Sequence, residues 1–447
     1  MLDEVPTVPA PEPPDSAKAW YAPSIHDHYE IVPGVVATVE GGDDGFRYGV
    51  REPSLSADTE SDLRAVREHF ADAEPTRPRT REGAAERFRA GFDQKYGQII
   101  DTIVSCSPAA RRRLDYYALA ELRCLGTLTP HALDDSIEVA DATGEELSLH
   151  LANYAPAATG IRDAEFIGQF SAERIERYTV EFAGYAVPVV RYRERLLGAD
   201  PFERKYAVVE PDRLPGDERL IAECKERIWE AGLGGIDEQS TLRKRARVVR
   251  ERGESLLSRQ LRAGDVRAWV DTIRRGVRAT LAEYGVAVPS VNRGFGDDRL
   301  DDLVYYVVRD LVGYGQLTVP IYDPRLEDIE ANRVGERIKV VPRGSGREPT
   351  NLAFESEEAF VNVVTQLAAN DGIELSASRP SATIDLDLDG TDQIIRCAVA
   401  LPAISEGGPH VSIRKQAPKG VTPVALVKSE AVPTELVTLL WLLYEHH

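Results

Sequence analysis

Apolar residues recur at the i, i+3, i+4, i+7 spacing through Val266, Trp269, Val270, Ile273, Val277, Leu281 and Tyr284, and again through Leu300, Leu303, Val304, Val307, Val308 and Leu311. This period lays one apolar stripe along each of two helices, so the two face a shared core. Gly285 and Gly313 stand where C-terminal caps belong. Downstream the period shortens to two. Arg337 to Val341 reads as a strand, and Ile384, Leu386 and Leu388 alternate with Asp385, Asp387 and Asp389. A turn at Asp389-Gly390 then leads to strands from Gln393 to Leu401 and from His410 to Lys415. Between the first two of these strands Ser356 caps a helix with apolar Phe360, Val364 and Leu367, stopped by Asn370-Asp371-Gly372.

Upstream the pattern is looser. Pro6, Pro9, Pro11, Pro13 and Pro14 mark an extended or disordered tail, because Pro removes backbone donors and few apolar groups offset the entropy of ordering. Tyr29 to Pro53 reads as short strands around a Gly41–Gly45 turn, and a loop from Glu74 to Gly83 precedes a mostly helical stretch that begins near Ala84. Strand composition returns from Tyr178 to Tyr192, and Ser240 to Gly264 is Arg-rich and helical. One internal echo runs without gaps at a shift of 189 positions: Leu114, Tyr116, Tyr117, Leu122, Gly126, Leu128, Thr129, Asp134, Glu138 and Ala142 match Leu303, Tyr305, Tyr306, Leu311, Gly315, Leu317, Thr318, Asp323, Glu327 and Ala331. A duplicated helix-turn-strand unit would produce it, and so would two helices that share a few apolar positions by chance.

Between Leu303 and Arg343 the chain packs a helix, a Gly-punctuated turn, an acidic turn and a strand into about forty residues. Tyr306, Arg309-Asp310, Gly313-x-Gly315, Asp323-Pro324, Glu327-Asp328-Ile329 and Asn332 follow one another in that order. In this wording the segment resembles the type II/type IV secretion ATPases, especially the archaeal motors of pili and archaella. The resemblance is specific from about Asp298 to His447. It implies a chain that is the N-terminal portion of a cytoplasmic motor, peripheral to the membrane, working as a homo-hexamer against a membrane platform protein. ATP and Mg2+ are the cofactors expected of the whole family member.

On that basis the fold class is α+β, divided as a tail (1–18), an N-terminal α+β region (19–235), a helical bundle (236–315), an α/β domain of the kind that precedes an ATPase core (316–420), and a linker with the first helix of a RecA-like domain (421–447). Leu436, Leu439, Leu440 and Leu443 surround Trp441 on that last helix, which is apolar enough to expect burial in a core. No G-x-x-x-x-G-K-[ST] occurs, so the backbone cradle and lysine that hold β- and γ-phosphates are missing. The chain as written is therefore expected not to hydrolyse ATP. The alternative is a catalytically silent adaptor or regulator of such a motor.

Charge changes the picture of partners. The net charge is −20, and nine Lys stand against 45 Arg, the composition of a protein kept soluble in strong brine by a dense carboxylate surface. Phosphate backbones are poor partners for such a chain. The cluster Arg243-Lys244-Arg245, Arg247, Arg250 and Arg252 is read as an intramolecularly paired or solvated face rather than a nucleic-acid site. Cys106, Cys124, Cys224 and Cys397 show no metal-ligand spacing, and no run reaches the roughly 18 apolar residues of a spanning helix.

Candidate chemistry is sparse. Gly313-x-Gly315 follows a helix, the reverse of a phosphate loop, and reads as a helix stop with φ > 0 carried by Gly. Glu327 and Asp328, adjacent on an extended segment, point to opposite faces and do not converge on one atom. Asp323-Pro324 opens a turn with the Asp side chain accepting nearby backbone N–H groups. Catalytic and metal-binding residues are not expected. Arginines of this domain approach the nucleotide in the resembling family, and Arg414 matches the Arg of its Ile-Arg-Lys segment; Arg396 and Arg343 are further candidates, each read first as a surface arginine paired with the abundant acid. A guanidinium suits that task because its planar fork pairs with phosphate oxygens and stays charged.

Overall fold

The computed structural model describes residues 19–43, 45–195, 200, 202–231, 242–280, 297–388, 395–405, 407–416, 422–428 and 430–445, without the side chains of 263–280. The proline tail, Leu281, Tyr284, Gly285, Asp389-Gly390 and Gln393 lie outside the described residues. The fold is α+β in two units that meet in sequence at Tyr322/Asp323.

The first unit opens with an antiparallel meander, β1 (Ile25–Val32), β2 (Val35–Gly42) and β3 (Gly45–Arg51). Four helices follow: α1 (Ala57–His69), α2 (Arg81–Ala90), α3 (Gln94–Ile103) and α4 (Pro108–Arg123). Ser56, Thr80 and Ser107 start α1, α2 and α4 by accepting a backbone N–H with the side-chain oxygen, and Pro108 sits at the first helical position where its missing N–H costs nothing. After a 3-10 turn at Gly126–Leu128 come the short α5 (Thr129–Ala132), then β4 (Ile137–Asp141), β5 (Ser148–Leu151) and β6 (Ala157–Ala158). These three strands fall inside the stretch expected to be mostly helical. They are two to five residues long, and β5 and β6 carry Leu and Ala rather than β-branched residues, so only the tertiary core reveals them.

The sheet order is β1-β2-β3-β6-β5-β4, with β3 and β6 parallel. Tyr29 of β1 and Tyr48 of β3 both reach Asp134, just ahead of β4, each at 2.6 Å, so the sheet curls and brings its first and last strands toward each other. Leu119, Leu125, Leu128, Ile137, Leu147, Leu149 and Phe170 fill the hollow.

A short helix α6 (Ile167–Ser171) leads to a second meander, β7 (Glu173–Phe182), β8 (Tyr185–Arg193) and β9 (Arg204–Val208). The strand composition over Tyr178–Tyr192 resolves into the two strands of a hairpin. Its two-residue loop, Ala183-Gly184, has φ of 50° and 87°, the mirror-image turn whose twist suits a hairpin. Next come α7 (Asp217–Glu230), α8 (Leu242–Thr280), α9 (Asp297–Leu311), a 3-10 turn at Gly315–Leu317 and α10 (Thr318–Tyr322). The Arg-rich stretch and the stripe that begins at Val266 are one continuous helix, α8, because nothing in Gly264-Asp265 is strong enough to end it.

The second unit is a six-stranded antiparallel sheet with one covering helix. Its strands are β10 (Leu326–Ala331), β11 (Arg337–Pro342), β12 (Glu348–Ala353), β13 (Ser381–Leu386), β14 (Ile395–Ala400) and β15 (His410–Lys415), in the order β13-β14-β15-β10-β11-β12. Helix α11 (Glu357–Asn370), capped by Ser356 and followed by Gly372 at φ 67°, lays Phe360, Val364 and Leu367 on the sheet. Alternation then divides each strand. Ile384, Ile395, Cys397, Val411 and Ile413 are fully buried, while Asp385, Arg396 and Arg414 face solvent. Helices α12 (Pro423–Lys428) and α13 (Thr434–Glu445) follow, and Leu436, Leu439, Leu440, Trp441 and Leu443 of α13 stay exposed.

Candidate functional site

The nucleotide-proximal candidates sit on the solvent face of the second unit's sheet. In the strand register Asp385 stands opposite Arg396, Arg396 opposite Arg414, and Arg414 opposite Asp328, so four charged residues cross the sheet in one row. Like charges directly opposite each other are unfavourable, and here the carboxylates at the ends of the row compensate. Arg396 Nε lies 3.2 Å from Asp385 Oδ1. Arg414 is held more loosely, with Nε 3.7 Å from Asp328 and Nη2 3.9 Å from Glu327, and its side chain is 73% exposed. Two guanidiniums with weakly held counter-charges form a place where an incoming anion can replace a carboxylate at little cost.

That geometry corrects one expectation. Glu327 and Asp328 do converge on a single guanidinium. The pairing of β10 with β11 slips by one residue between Leu326 and Asp328, and such a bulge turns neighbouring side chains toward the same side. Burial raises the Asp328 carboxyl above its ordinary range while Arg414 opposes the shift.

Arg343 is placed elsewhere and does another job. Its Nη2 donates to the carbonyls of Lys415 and Gln416, each at 3.2 Å, and its Nε to the carbonyl of Pro324 at 3.2 Å. It therefore ties the end of β15 to the Asp323-Pro324 turn. Within that turn Asp323 is fully buried, and its Oδ1 accepts from Arg325 N at 2.9 Å. Lys415 donates to the Asp323 carbonyl; it is 1% exposed, and burial pushes its ammonium down to about 8. Sequence reading overlooked Lys415, although the alternation Val411, Ile413, Lys415 already assigns it to the inward face. Asn332, half-buried, follows β10 in the turn toward β11.

The remaining motif residues build a cluster inside the first unit. Arg309 is buried, its Nη1 bonded to both oxygens of Glu210 at 2.9 and 2.8 Å and its Nε to Asp310 at 2.8 Å. Lys225 closes the network on Asp310 at 2.7 Å. Burial alone would raise Asp310, yet Arg309 and Lys225 hold it below the ordinary carboxylate range. Glu210 and Lys225 are recognisable only once the helices are packed. Gly313 is glycine for lack of space: an added Cβ would lie 2.6 Å from the Arg309 carbonyl, 2.6 Å from Thr318 Oγ1 and 2.9 Å from Phe182. Positive φ belongs to Gly315 alone of the two, at 55°.

A cavity of about 430 Å³ in the same unit is lined by Arg87, Lys95, Arg123, Asp212, Asp302 and Tyr305 among others. Its cations meet carboxylates from within: Lys95 Nζ is 2.5 Å from Asp302 and Arg123 Nε is 3.0 Å from Asp212. Burial pushes Asp302 up to about 6 despite Lys95. The Arg-rich start of α8 is partly engaged as well, since Arg250 donates to the Ala183 carbonyl at 2.8 Å and stacks on Tyr185. Among the described residues no group of three or more His, Cys, Asp or Glu could hold a metal ion, and no helix is long and apolar enough to cross a membrane.

No family model matches the chain. It is 32% identical over 78 residues to the uncharacterized protein MJ1288 of Methanocaldococcus jannaschii, a stretch covering 17% of this chain and 31% of that protein. It is also 29% identical over 147 residues to the uncharacterized protein MJ0900 of the same organism, covering 33% and 26% respectively. The chain thus spans less than a third of either relative. Among solved structures it is similar, at TM-score 0.20 and 21% identity over 25% of this chain and 32% of the other, to the VirB11 ATPase of the Brucella suis type IV secretion system in complex with sulphate, a likeness too small to argue fold or function from.

Proposed function

We propose that this chain supplies the non-catalytic part of a secretion-type motor ATPase, one that drives type II/IV secretion or pilus or archaellum assembly. In this reading its units form ring contacts in a hexamer and meet a membrane platform protein, and Arg414 with Arg396 faces the phosphates of ATP held by a phosphate-loop domain. The observation that carries the reading is the exposed Asp385–Arg396–Arg414–Asp328 row, where two adjacent guanidiniums face solvent, Arg396 bonded to Asp385 at 3.2 Å and Arg414 held only loosely by Asp328 and Glu327. The ordered motif from Tyr306 to Asn332 supports it. A second reading is that the chain regulates such a motor without turning over ATP itself.

A reconstitution separates the two. The full chain is mixed with a phosphate-loop ATPase of the secretion family and Mg-ATP, and ring formation and turnover are followed by light scattering and phosphate release. Association with raised turnover, lost in Arg414→Ala while the ring persists, is the expected result. Association with lowered turnover establishes the regulator. A chain that neither joins the ring nor alters turnover sinks both.

A further inference from the structure

The sequence echo at 189 positions extends into the hydrogen bonds. Helices α4 and α9 end in the same way, with Cys124 N bonded to Leu119 O and Gly313 N to Val308 O, each at 3.2 Å. Gly126 and Gly315 share a φ of 55°. Thr129 Oγ1 accepts from Leu125 N at 3.0 Å and donates to Ala120 O at 3.4 Å; Thr318 Oγ1 accepts from Tyr314 N at 2.8 Å and donates to Arg309 O at 3.3 Å. Asp134 Oδ1 takes Ser136 N and Asp323 Oδ1 takes Arg325 N, both at 2.9 Å. The strands keep the register too. Val139↔His150, Ala140↔Leu149 and Asp141↔Ser148 reappear as Asp328↔Val341, Ile329↔Val340 and Glu330↔Lys339, each set after a slip at the corresponding position.

The meanders join in. β3 runs out through Tyr48-x-Val50-x-Glu52-Pro53 and β9 through Tyr206-x-Val208-x-Glu210-Pro211, the Glu-Pro pair in each case just past the strand. Tyr116 Oη donates to Glu52 at 2.7 Å and Tyr305 Oη to Glu210 at 2.8 Å, while Tyr117 and Tyr306 donate to the carbonyls of Pro53 and Pro211 at 2.7 and 2.5 Å. Chance gives two helices similar stripes. It does not give corresponding residues the same bonds.

The copies differ at one edge. β10 carries β15 on the side away from β11, with Asp328↔Arg414, Ile329↔Ile413, Glu330↔Ser412 and Ala331↔Val411. β4, its counterpart, is the last strand of its sheet, and among the described residues no strand pairs with its outer side. Arg81 occupies only the carbonyl of Glu138, at 3.3 Å, one residue ahead of the span that β15 covers in the other copy. Val139 is left 42% exposed. Glu138 and Asp141 on β4 and Glu145 and Glu146 in the loop after it put negative charge next to this edge, while Asp135 ahead of it is paired with Arg89 at 2.8 Å.

We infer that the chain holds two copies of one meander–helix–turn–hairpin unit, and that the free edge of β4 at Val139–Ala142 receives a strand from a partner polypeptide. The partner is an extended basic segment with apolar residues at alternate positions, the pattern that β15 presents to β10. Backbone hydrogen bonds supply the affinity of such an added strand, and the alternating side chains with the acidic surround supply its selectivity. This inference does not depend on the motor reading.

The test uses the full chain and a synthetic peptide of the sequence Pro409–Gln416, followed by fluorescence titration and by amide hydrogen exchange. The outward-pointing amides of Val139–Ala142, those not bonded to β5, are expected to exchange freely in the chain alone and to slow at least tenfold with peptide. Val139→Lys should weaken the peptide at least tenfold with the circular dichroism unchanged, and Val139→Thr should bind normally. Absence of saturable binding overturns the proposal, as does equal binding by Val139→Lys or protection confined to Asp328–Ala331. Protection that grows with chain concentration and without peptide assigns the edge to a second copy and overturns it as well.

Discussion

The two helix–turn–strand units share a backbone and differ in what braces it. In the first, Asp134 is held by neutral donors, the phenols of Tyr29 and Tyr48 with Ser136. In the second, the same turn is closed by cations, Lys415 on the Asp323 carbonyl and Arg343 on that of Pro324. The helices differ in the same sense. Glu52 accepts from Tyr116 and burial raises its carboxyl, whereas Glu210 accepts from Tyr305 and also from Arg309, whose counterpart in the first copy of the repeat is Ala120. One backbone thus tolerates a neutral or an ionic interior, provided each buried polar atom finds a partner.

The sharpest way to break this contrast is Arg309→Met. It leaves Glu210 without the guanidinium and Asp310 with Lys225 alone, and unfolding free energy should fall by roughly 3–5 kcal/mol in urea titrations. Ala120→Met in the first unit tests only packing and should cost about 1–3 kcal/mol. Gly313→Ala comes next. Its Cβ collides with backbone at 2.6 Å, so a loss of about 1–3 kcal/mol is expected, whereas the matching position already carries the side chain of Cys124.

Gly126→Ala and Gly315→Ala should each cost about 1–2 kcal/mol and, because both sit at φ 55°, the two losses should agree within error; unequal losses would show that the turns are not equivalent. The ionic brace also carries a pH signature. Lys415 loses its proton near 8 in the folded chain and near 10.5 when unfolded, so between those values the unfolded state binds more protons and stability rises with pH, by at most about 1.4 kcal/mol per unit. Lys415→Met should remove that rise in thermal melts between pH 8 and 9.5. Smallest of all, Arg414→Ala should change stability by under about 0.5 kcal/mol, since its partners lie at 3.7 and 3.9 Å in solvent.

Much of the second unit was legible from local signals. Ser356 accepts a backbone N–H as a cap must, and the alternation from Ile384 to Leu388 and from His410 to Lys415 sorts buried from exposed positions correctly. The strands β4, β5 and β6 were not legible, because segments of two to five residues are too short to carry a period of their own. The convergence of Glu327 and Asp328 on Arg414 was hidden for a related reason: a bulge is a property of two paired strands, and one strand read alone cannot show it.

The sequence by itself determined the amphipathic helix α9, the glycine turn after it, the acidic surface and the repeated residues 189 apart, since each depends on neighbours a few positions away or on composition. Tertiary structure alone decided that those repeats make the same hydrogen bonds, that Arg309 is buried against Glu210 and that, among the described residues, no strand pairs with the outer edge of β4 where β10 has a partner. These are pairings across tens to hundreds of residues, and packing, not local propensity, selects them.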